Sequence, residues 1–238
     1  MPPRESLDDV TRSLTQQAKH LRSLGLKTLP TEPPPVSRDS RRAGAPSECR
    51  RPERVEALRA LEAEVIACTG CSLYRTRTRH VFGEGDVEAK LVFVGEAPGR
   101  EEDLQGRPFV GAAGQLLTKM IEAIGLTREQ VYICNVLKDR PPNNRLPEPV
   151  EMDACKPYLA RQLAIIRPRI ICTLGAIATK ALLGPHVSIT QVRGTMHAFE
   201  EIPLIPTFHP AYLLRNPPAK KFVWQDLKKI KRLLDERE

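Results

Sequence analysis

Acidic and aromatic side chains lie together in one stretch of the sequence that could bind a planar ring and orient water. Residues 95–99 read Gly-Glu-Ala-Pro-Gly, and three acidic residues and Phe109 follow within residues 100–111. The glycines permit close backbone approach to a ligand, but the segment lacks the lysine and spacing of a phosphate-binding loop. A loop phenylalanine is more often a core residue; beside carboxylates it could instead stack on a base while an acid orients water.

Two further polar residues follow predicted strands. Asn135 ends one strand, where asparagine usually caps a turn, but its amide also offers the donor and acceptor edge that suits a pyrimidine's O4 and N3–H. His209 is either a hydrogen-bonded structural histidine or, in a crevice, a group that could stabilise a developing oxyanion. Taken singly, each residue favours the structural interpretation.

The six cysteines indicate a second chemical site. Cys68 and Cys71 form a CxxC pair, which in a reducing cytoplasm suggests a metal, a cluster or a redox pair, because stable disulfides are disfavoured there. Cys134 and Cys172 fall in predicted strands and are expected to be core thiols, whereas Cys49 is expected to be a free thiol in a linker.

The elements that must position these residues begin at about Val55. Short apolar runs alternate with helical patterns, which predicts a parallel sheet covered by helices on both faces. The predicted strands are 91–94, 131–137, 170–174, 195–199 and 202–207, and the predicted helices are 55–68, 114–124, 149–166, 176–183 and 219–234. In such sheets the ligand crevice lies beyond the carboxyl ends of the strands. Because a polar motif follows each central strand, we expect a single site there.

Composition sets wider limits. The chain has 238 residues and a formal net charge of +8, which permits a polyanionic partner without demonstrating one. No apolar run approaches the roughly 18 residues of a membrane span, and no secretory signal opens the sequence, so we expect a cytoplasmic monomer with no membrane partner. Residues 1–53 are expected to hold an amphipathic helix, Leu7 to Leu26, and a flexible linker rich in Pro and Arg. Residues 54–238 are expected to form the folded domain.

Four segments together resemble the family 4 (thermostable-type, iron–sulfur) uracil-DNA glycosylases, from about Val55 to the C-terminus. They are residues 95–99, residues 102–117 (Glu-Asp-Leu-Gln-Gly-Arg-Pro-Phe-Val-Gly-Ala-Ala-Gly-Gln-Leu-Leu), residues 140–145 (Arg-Pro-Pro-Asn-Asn-Arg) and residues 209–215 (His-Pro-Ala-Tyr-Leu-Leu-Arg). The resemblance implies a three-layer α/β/α sandwich with a central, mainly parallel four-stranded sheet. It also implies an enzyme of base excision repair that flips deoxyuridine out of DNA and hydrolyses the uracil N-glycosidic bond, without a lyase step.

The resemblance also assigns the residues of the uracil pocket. Phe109 would stack on the flipped base, Asn135 would read its Watson–Crick edge with Asn144 as a further uracil contact, and His209 would donate toward uracil O2. Glu96 and Glu102 occupy the family's acidic positions. We favour Glu96 for contact with water or the sugar ring and Glu102 for shaping the pocket, although the sequence does not separate their roles.

The residues that directly follow His209 are expected to contact DNA. By resemblance, Tyr212, Leu213, Leu214 and Arg215 provide an apolar wedge that fills the space left by the flipped base, beside a cation that binds phosphate. The alternative interpretation is an ordinary helix start.

The family binds a [4Fe–4S] cluster through four cysteines, and this sequence departs from that pattern at one of them. Cys68, Cys71 and Cys155 match, but Asp139 stands where the third cysteine is expected. Asp139 could ligate iron through oxygen, or a three-iron or water-ligated cluster could form. Cys134 could supply the fourth ligand, zinc could bind the three cysteines, or the chain could hold no cluster, with Asp139 as a simple turn residue.

Two further functions are compatible with the sequence. The first is a uracil-DNA binding protein with little or no turnover; related tight-binding variants carry a His-containing insertion after the first motif, and residues 99–109 hold no histidine, which favours turnover. The second is an iron–sulfur or zinc module that binds DNA. In that interpretation the Leu7 to Leu26 helix docks to repair or replication proteins.

Overall fold

A six-stranded sheet forms the centre of the computed structural model, which describes residues 51–236. Its strands are β1 (Glu84–Gly85), β2 (Leu91–Gly95), β3 (Tyr132–Asn135), β4 (Ile170–Leu174), β5 (His197–Phe199) and β6 (Ile202–Thr207). The order across the sheet is β1-β3-β2-β4-β6-β5. The four central strands are parallel, and β1 and β5 pair antiparallel at the two edges. The predicted parallel four-stranded sheet is therefore confirmed, with two short edge strands added to it.

Helices cover both faces of the sheet. They are α1 (Arg51–Ala67), α2 (Arg100–Gln105), α3 (Ala112–Glu122), α4 (Pro149–Ile166), α5 (Ala176–Leu183), α6 (Ile189–Val192), α7 (Pro210–Arg215) and α8 (Lys220–Asp235). Alternate residues of a strand face opposite layers. Leu91 and Phe93 of β2 accordingly join the core formed with α3 and α8, whereas Val92 and Val94 join the core formed with α1 and α4. This is the predicted three-layer α/β/α arrangement.

The element boundaries follow the sequence pattern closely where the pattern is long. The bounds of α4, β4 and α5 agree with the predicted residues, and α8 begins one residue later than predicted. Helices α2 and α7, each of 6 residues, were not predicted as separate helices, because so short a helix shows little periodicity.

The proposed boundary between residues 53 and 54 stays a prediction. Helix α1 already begins at Arg51. The expected Leu7 to Leu26 helix and the linker after it lie outside the described residues. Within residues 51–236, no helix is long and apolar enough to cross a membrane.

Candidate active site

The carboxyl ends of β2 and β3 bring polar and aromatic side chains together at the predicted edge of the sheet, and the site that these side chains form is termed the strand-end pocket. Gly95 and Asn135 are paired in register as the last residues of these strands. A Cβ atom on Gly95 would lie 2.3 Å from Asn135 Oδ1 and 2.5 Å from Phe109 Cζ. Only a residue without a side chain allows the amide and the phenyl ring to approach the strand this closely. The structure thus brings Asn135 and Phe109 together.

Phe109 sits in a backbone turn that is held from two sides. Its φ of 54° lies in the left-handed region, which is uncommon for a bulky side chain and needs support from its surroundings. The Arg128 guanidinium donates to the carbonyl oxygens of Pro108 (2.8 Å) and Phe109 (3.0 Å) and is paired with Glu84. Arg128 thereby fixes the backbone on which the phenyl ring is mounted.

Glu102 supports the same turn from its other end. Its carboxylate accepts hydrogen bonds from the backbone N–H groups of Val110 and Gly111, both at 2.9 Å, and from that of Gly99 at 3.1 Å. A carboxylate that is bound to three backbone donors is held in place. Glu102 thus braces the backbone on either side of Phe109, and its role in shaping the pocket stays a prediction.

Asn135 carries an unpartnered acceptor deep in this pocket. The residue is 1% exposed, and Oδ1 has no hydrogen-bond partner among the side chains and backbone groups of residues 51–236. Its own carbonyl accepts from Lys138 Nζ at 2.7 Å, and Lys138 also donates to Gln162 Oε1 at 2.5 Å. A buried acceptor without a donor costs free energy, so this atom indicates a ligand that donates a hydrogen bond.

His209 is held as a neutral donor. Its Nδ1 accepts a hydrogen bond from the backbone N–H of Ala211 at 3.1 Å, which caps the start of α7 and places the ring proton on Nε2. Burial lowers the pKa of His209 to about 4; Arg215 acts in the same direction and Glu102 opposes it. The ring centroid lies 5.7 Å from that of Phe109. At neutral pH the pocket therefore contains an uncharged imidazole with an Nε2–H donor.

Glu96 directly follows β2 and is half-buried. Burial raises the pKa of its carboxyl above the ordinary range. Its side chain thus occupies a different environment from that of Glu102, whose oxygens are bound to the backbone.

The predicted DNA-contacting residues divide into two groups. Tyr212 and Leu214 are 38% and 47% exposed, and Arg215 is exposed as well. Leu213 is 1% exposed and packs in the core with α3 and α8, so its assignment to the wedge is wrong. The reason is that residues 210–215 form a helix, which turns successive side chains to different sides.

Asn144 lies in an exposed turn at residues 142–144. Its Oδ1 accepts a hydrogen bond from Arg140 Nε at 2.7 Å. Its role as a uracil contact stays a prediction.

The four predicted metal ligands line a second pocket, beside the start of α4. Cys68, Cys71, Asp139 and Cys155 contribute to its wall, together with Lys138 and Tyr158 among others. Burial raises the pKa of Cys155 to about 11, as expected for a thiol away from water. In the part of the chain that the structure describes, no three His, Cys, Asp or Glu side chains are placed to hold a metal ion as they stand.

Three thiols of this second pocket suit an iron–sulfur cluster, and the fourth group does not. Thiolate is the ligand such clusters prefer. Asp139 instead has both carboxylate oxygens beside Arg77 Nη1, at 3.1 and 3.0 Å. Cys134 is 1% exposed in the core below α1 and α4, and it is not part of the pocket wall.

Three supporting residues were not predicted from the sequence. Arg77 contacts Asp139, 62 residues away in sequence, and Arg128 contacts Phe109, 19 residues away. No local sequence pattern indicates such contacts. Lys138 could have been suspected, because it stands between Asn135 and the expected ligand at residue 139.

Comparison with known proteins agrees with this geometry. The profile of the Uracil DNA glycosylase superfamily matches residues 82–228. The chain is 51% identical over 188 residues to a type-4 uracil-DNA glycosylase of Sulfurisphaera tokodaii. The matched region covers 75% of this chain and 86% of that protein. The corresponding values for the type-4 enzyme of Thermotoga maritima are 48% identity, 75% and 95%, and those for the enzyme of Archaeoglobus fulgidus are 46%, 74% and 92%. The chain therefore belongs to the type-4 uracil-DNA glycosylase family.

Proposed function

We propose that this chain is a monofunctional uracil-DNA glycosylase, which hydrolyses the bond between uracil and deoxyribose in DNA and leaves an abasic site. The observation that carries the proposal is the buried Oδ1 of Asn135, which has no hydrogen-bond partner within residues 51–236 and lies, like the Phe109 ring, close to Gly95 at the end of β2. A uracil in this pocket supplies N3–H, the donor that Oδ1 lacks.

Recognition follows from the same atom. Uracil presents N3–H as a donor, whereas cytosine presents an unprotonated N3, which would face Oδ1 as a second acceptor. Leaving two acceptors opposed in a buried site costs free energy, so cytosine is rejected. The Phe109 ring provides a face on which the flipped base stacks. A base paired inside the duplex cannot reach this pocket, which is why the nucleotide must be extruded.

Catalysis is assigned to two groups at the pocket. As the glycosidic bond breaks, negative charge gathers on the departing uracil, and the Nε2–H of His209 donates to its O2. The sugar gains oxocarbenium character at the same time. The Glu96 carboxylate, above its raised pKa, offsets that positive charge and orients the attacking water.

The exposed residues of α7 extend the pocket toward DNA. Tyr212 and Leu214 offer the apolar surface that fills the space left by the extruded base, and Arg215 binds phosphate. The net charge of +8 supports binding to a polyanion.

We also propose that Cys68, Cys71 and Cys155 hold an iron–sulfur cluster of the [4Fe–4S] type. Cys68 and Cys71 of the CxxC loop and Cys155 of α4 would hold the cluster, whose role would then be structural, joining that loop to the helix. The free cysteines at 68, 71, 134, 155 and 172 fit a reducing cytoplasm. A monomeric enzyme, and docking of a repair or replication protein to residues 7–26, complete the proposal.

The test uses purified full-length protein and an oligonucleotide with a single uracil. We expect alkali-labile sites at that uracil and none in the matched cytosine or thymine oligonucleotide. A matched pair of variants, Asn135→Ala and Gln191→Ala, separates the pocket from an exposed amide side chain on α6: the first should lose turnover, the second should retain it. Tight binding of the uracil oligonucleotide without cleavage by wild type would instead establish a uracil-DNA binding protein.

A further inference from the structure

We infer that Asp139 and Arg77 form a structural ion pair, and that this pair, not a carboxylate–iron bond, closes the fourth corner of the cysteine pocket. Arg77 Nη1 lies 3.1 Å from Asp139 Oδ1 and 3.0 Å from Oδ2. Both oxygens of the carboxylate thus face the same cation. An iron ligand at this position would have to share the carboxylate with the guanidinium.

Arg77 links Asp139 to the end of the helix that leads into the CxxC loop. Its Nη2 donates to the carbonyl of Ile66 at 2.5 Å, and Nη1 lies 3.5 Å from that of Val65. These carbonyls belong to the last turn of α1, where helices leave acceptors unpaired and carry partial negative charge. Cys68 follows directly after this helix. The Arg77 guanidinium therefore connects the end of α1, just before Cys68, to Asp139. A bond from residue 139 to a cluster would otherwise make this connection.

The burial of the pair explains why it should persist. The Asp139 and Arg77 side chains are 9% and 17% exposed. Separating charges that lie largely out of water leaves each without its counter-charge, which is strongly unfavourable. Exposed pairs contribute far less. Asp139 is therefore held where it stands, and the ligands that residues 51–236 offer to a cluster in this pocket reduce to three thiolates.

The inference does not depend on the proposed glycosylase activity, because the pair exists with or without a substrate. It also makes a claim about the proposed cluster: an iron atom at the fourth corner has no protein ligand. This differs from ligation by Asp139 through oxygen, one of the alternatives that the sequence leaves open.

The test is a double-mutant cycle on full-length protein purified without oxygen. Its members are wild type, Asp139→Asn, Arg77→Gln and the double variant, and the readouts are the melting temperature and the iron and sulfide content. We expect each single variant to melt lower by on the order of 10 °C, and the double variant to lose clearly less than the sum. Iron and sulfide per protein, and the Mössbauer spectrum, should not change in Asp139→Asn.

Asp153→Asn is the matched control, since that carboxylate is 70% exposed and pairs with Lys156 on the surface of α4. Its melting temperature should stay within about 1–2 °C of wild type. The inference is overturned if Asp139→Asn loses iron or changes the Mössbauer spectrum while Arg77→Gln does not, or if the cycle is additive. Should Asp139→Asn fail to fold, Arg77→Lys decides: reduced stability with unchanged iron supports the pair, and unchanged stability contradicts it.

Discussion

An arginine supports each of the two pockets in the same way. Arg128 is paired with Glu84 and donates to the successive carbonyls of Pro108 and Phe109. Arg77 is paired with Asp139 and contacts the successive carbonyls of Val65 and Ile66. Both arrangements fix a stretch of backbone through a cation held by a carboxylate.

The pockets differ in whether their buried polar side chain has all of its hydrogen-bond partners. At the strand ends, Asn135 Oδ1 is buried without a donor among the described residues. In the cysteine pocket, the buried acid is satisfied by Arg77. An unpaired buried acceptor indicates a place reserved for a ligand, and a paired one indicates a structural contact. Completeness of hydrogen bonding therefore distinguishes the two buried polar residues. Asn135, with its open acceptor, is suited to bind substrate, and Asp139, whose carboxylate is paired, is structural.

The largest expected difference between the pockets comes from adding one methyl group at each, by Gly95→Ala in one and Gly70→Ala in the other. In Gly95→Ala, the new Cβ would lie 2.3 Å from Asn135 Oδ1 and 2.5 Å from the Phe109 ring, so the uracil pocket must distort. We expect kcat/KM to fall by more than about 10³-fold, since misplaced groups cost about 10²-fold or more. In Gly70→Ala the nearest atom, Cys68 Sγ, is at 3.5 Å, an ordinary contact. Single-turnover cleavage should then stay near the wild-type rate, and equal losses would remove the distinction.

His209→Ala tests whether the strand-end pocket acts through an uncharged donor. Removing the Nε2–H should lower kcat by roughly 10²-fold with little change in DNA affinity, because the donor acts mainly as charge develops on uracil. Cys68→Ala is the counterpart in the other pocket: it should lower stability and DNA binding more than turnover. Burst and steady-state kinetics measure kcat for both variants, and a separate binding experiment measures their DNA affinity. A Cys68→Ala protein of full stability would contradict the structural role.

The pKa of His209 predicts how stability depends on pH. Since the folded-state value of about 4 lies below the usual 6.5, the folded protein binds fewer protons than the unfolded chain between these values. The contribution is complete above about pH 6.5 and is lost as the pH falls toward 4, and it amounts to at most about 3 kcal/mol. Urea unfolding at several pH values measures it. His209→Asn should flatten the curve in this window, and an unchanged slope would contradict the assigned pKa.

The smallest expected loss of turnover is that of Arg128→Gln, and it distinguishes the role of Arg128 from that of Arg77. Arg128→Gln removes the support of the left-handed turn at Phe109 and should lower kcat by about 10-fold. Arg59→Gln, at an exposed arginine of α1, provides the matched control. Arg77→Gln should instead lower the melting temperature while leaving kcat of the folded fraction within about 2-fold of wild type. If both variants lost turnover equally, the functional division between the pockets would be wrong.

Local sequence patterns predicted most of the scaffold. Helix α4 and strand β4 have strong apolar patterns and the predicted bounds. The motif order also placed Phe109, Asn135 and His209 together, because parallel strands end at one edge. The contacts of Arg77 and Arg128 could not be predicted, since they join segments distant in sequence through tertiary packing. The burial of Leu213 depended on the orientation of the 6-residue helix α7, which the motif did not reveal.

Lys138 and Asp139 are consecutive, yet their side chains have different hydrogen-bond partners. Lys138 donates to the carbonyl of Asn135, and Asp139 faces Arg77. Loops after strands commonly accept insertions and deletions. This one should not, because a single added residue between positions 135 and 139 would displace either the ammonium below Asn135 or the carboxylate beside Arg77. The segment is therefore a spacer of fixed length, and tolerance of length changes should begin only beyond residue 139.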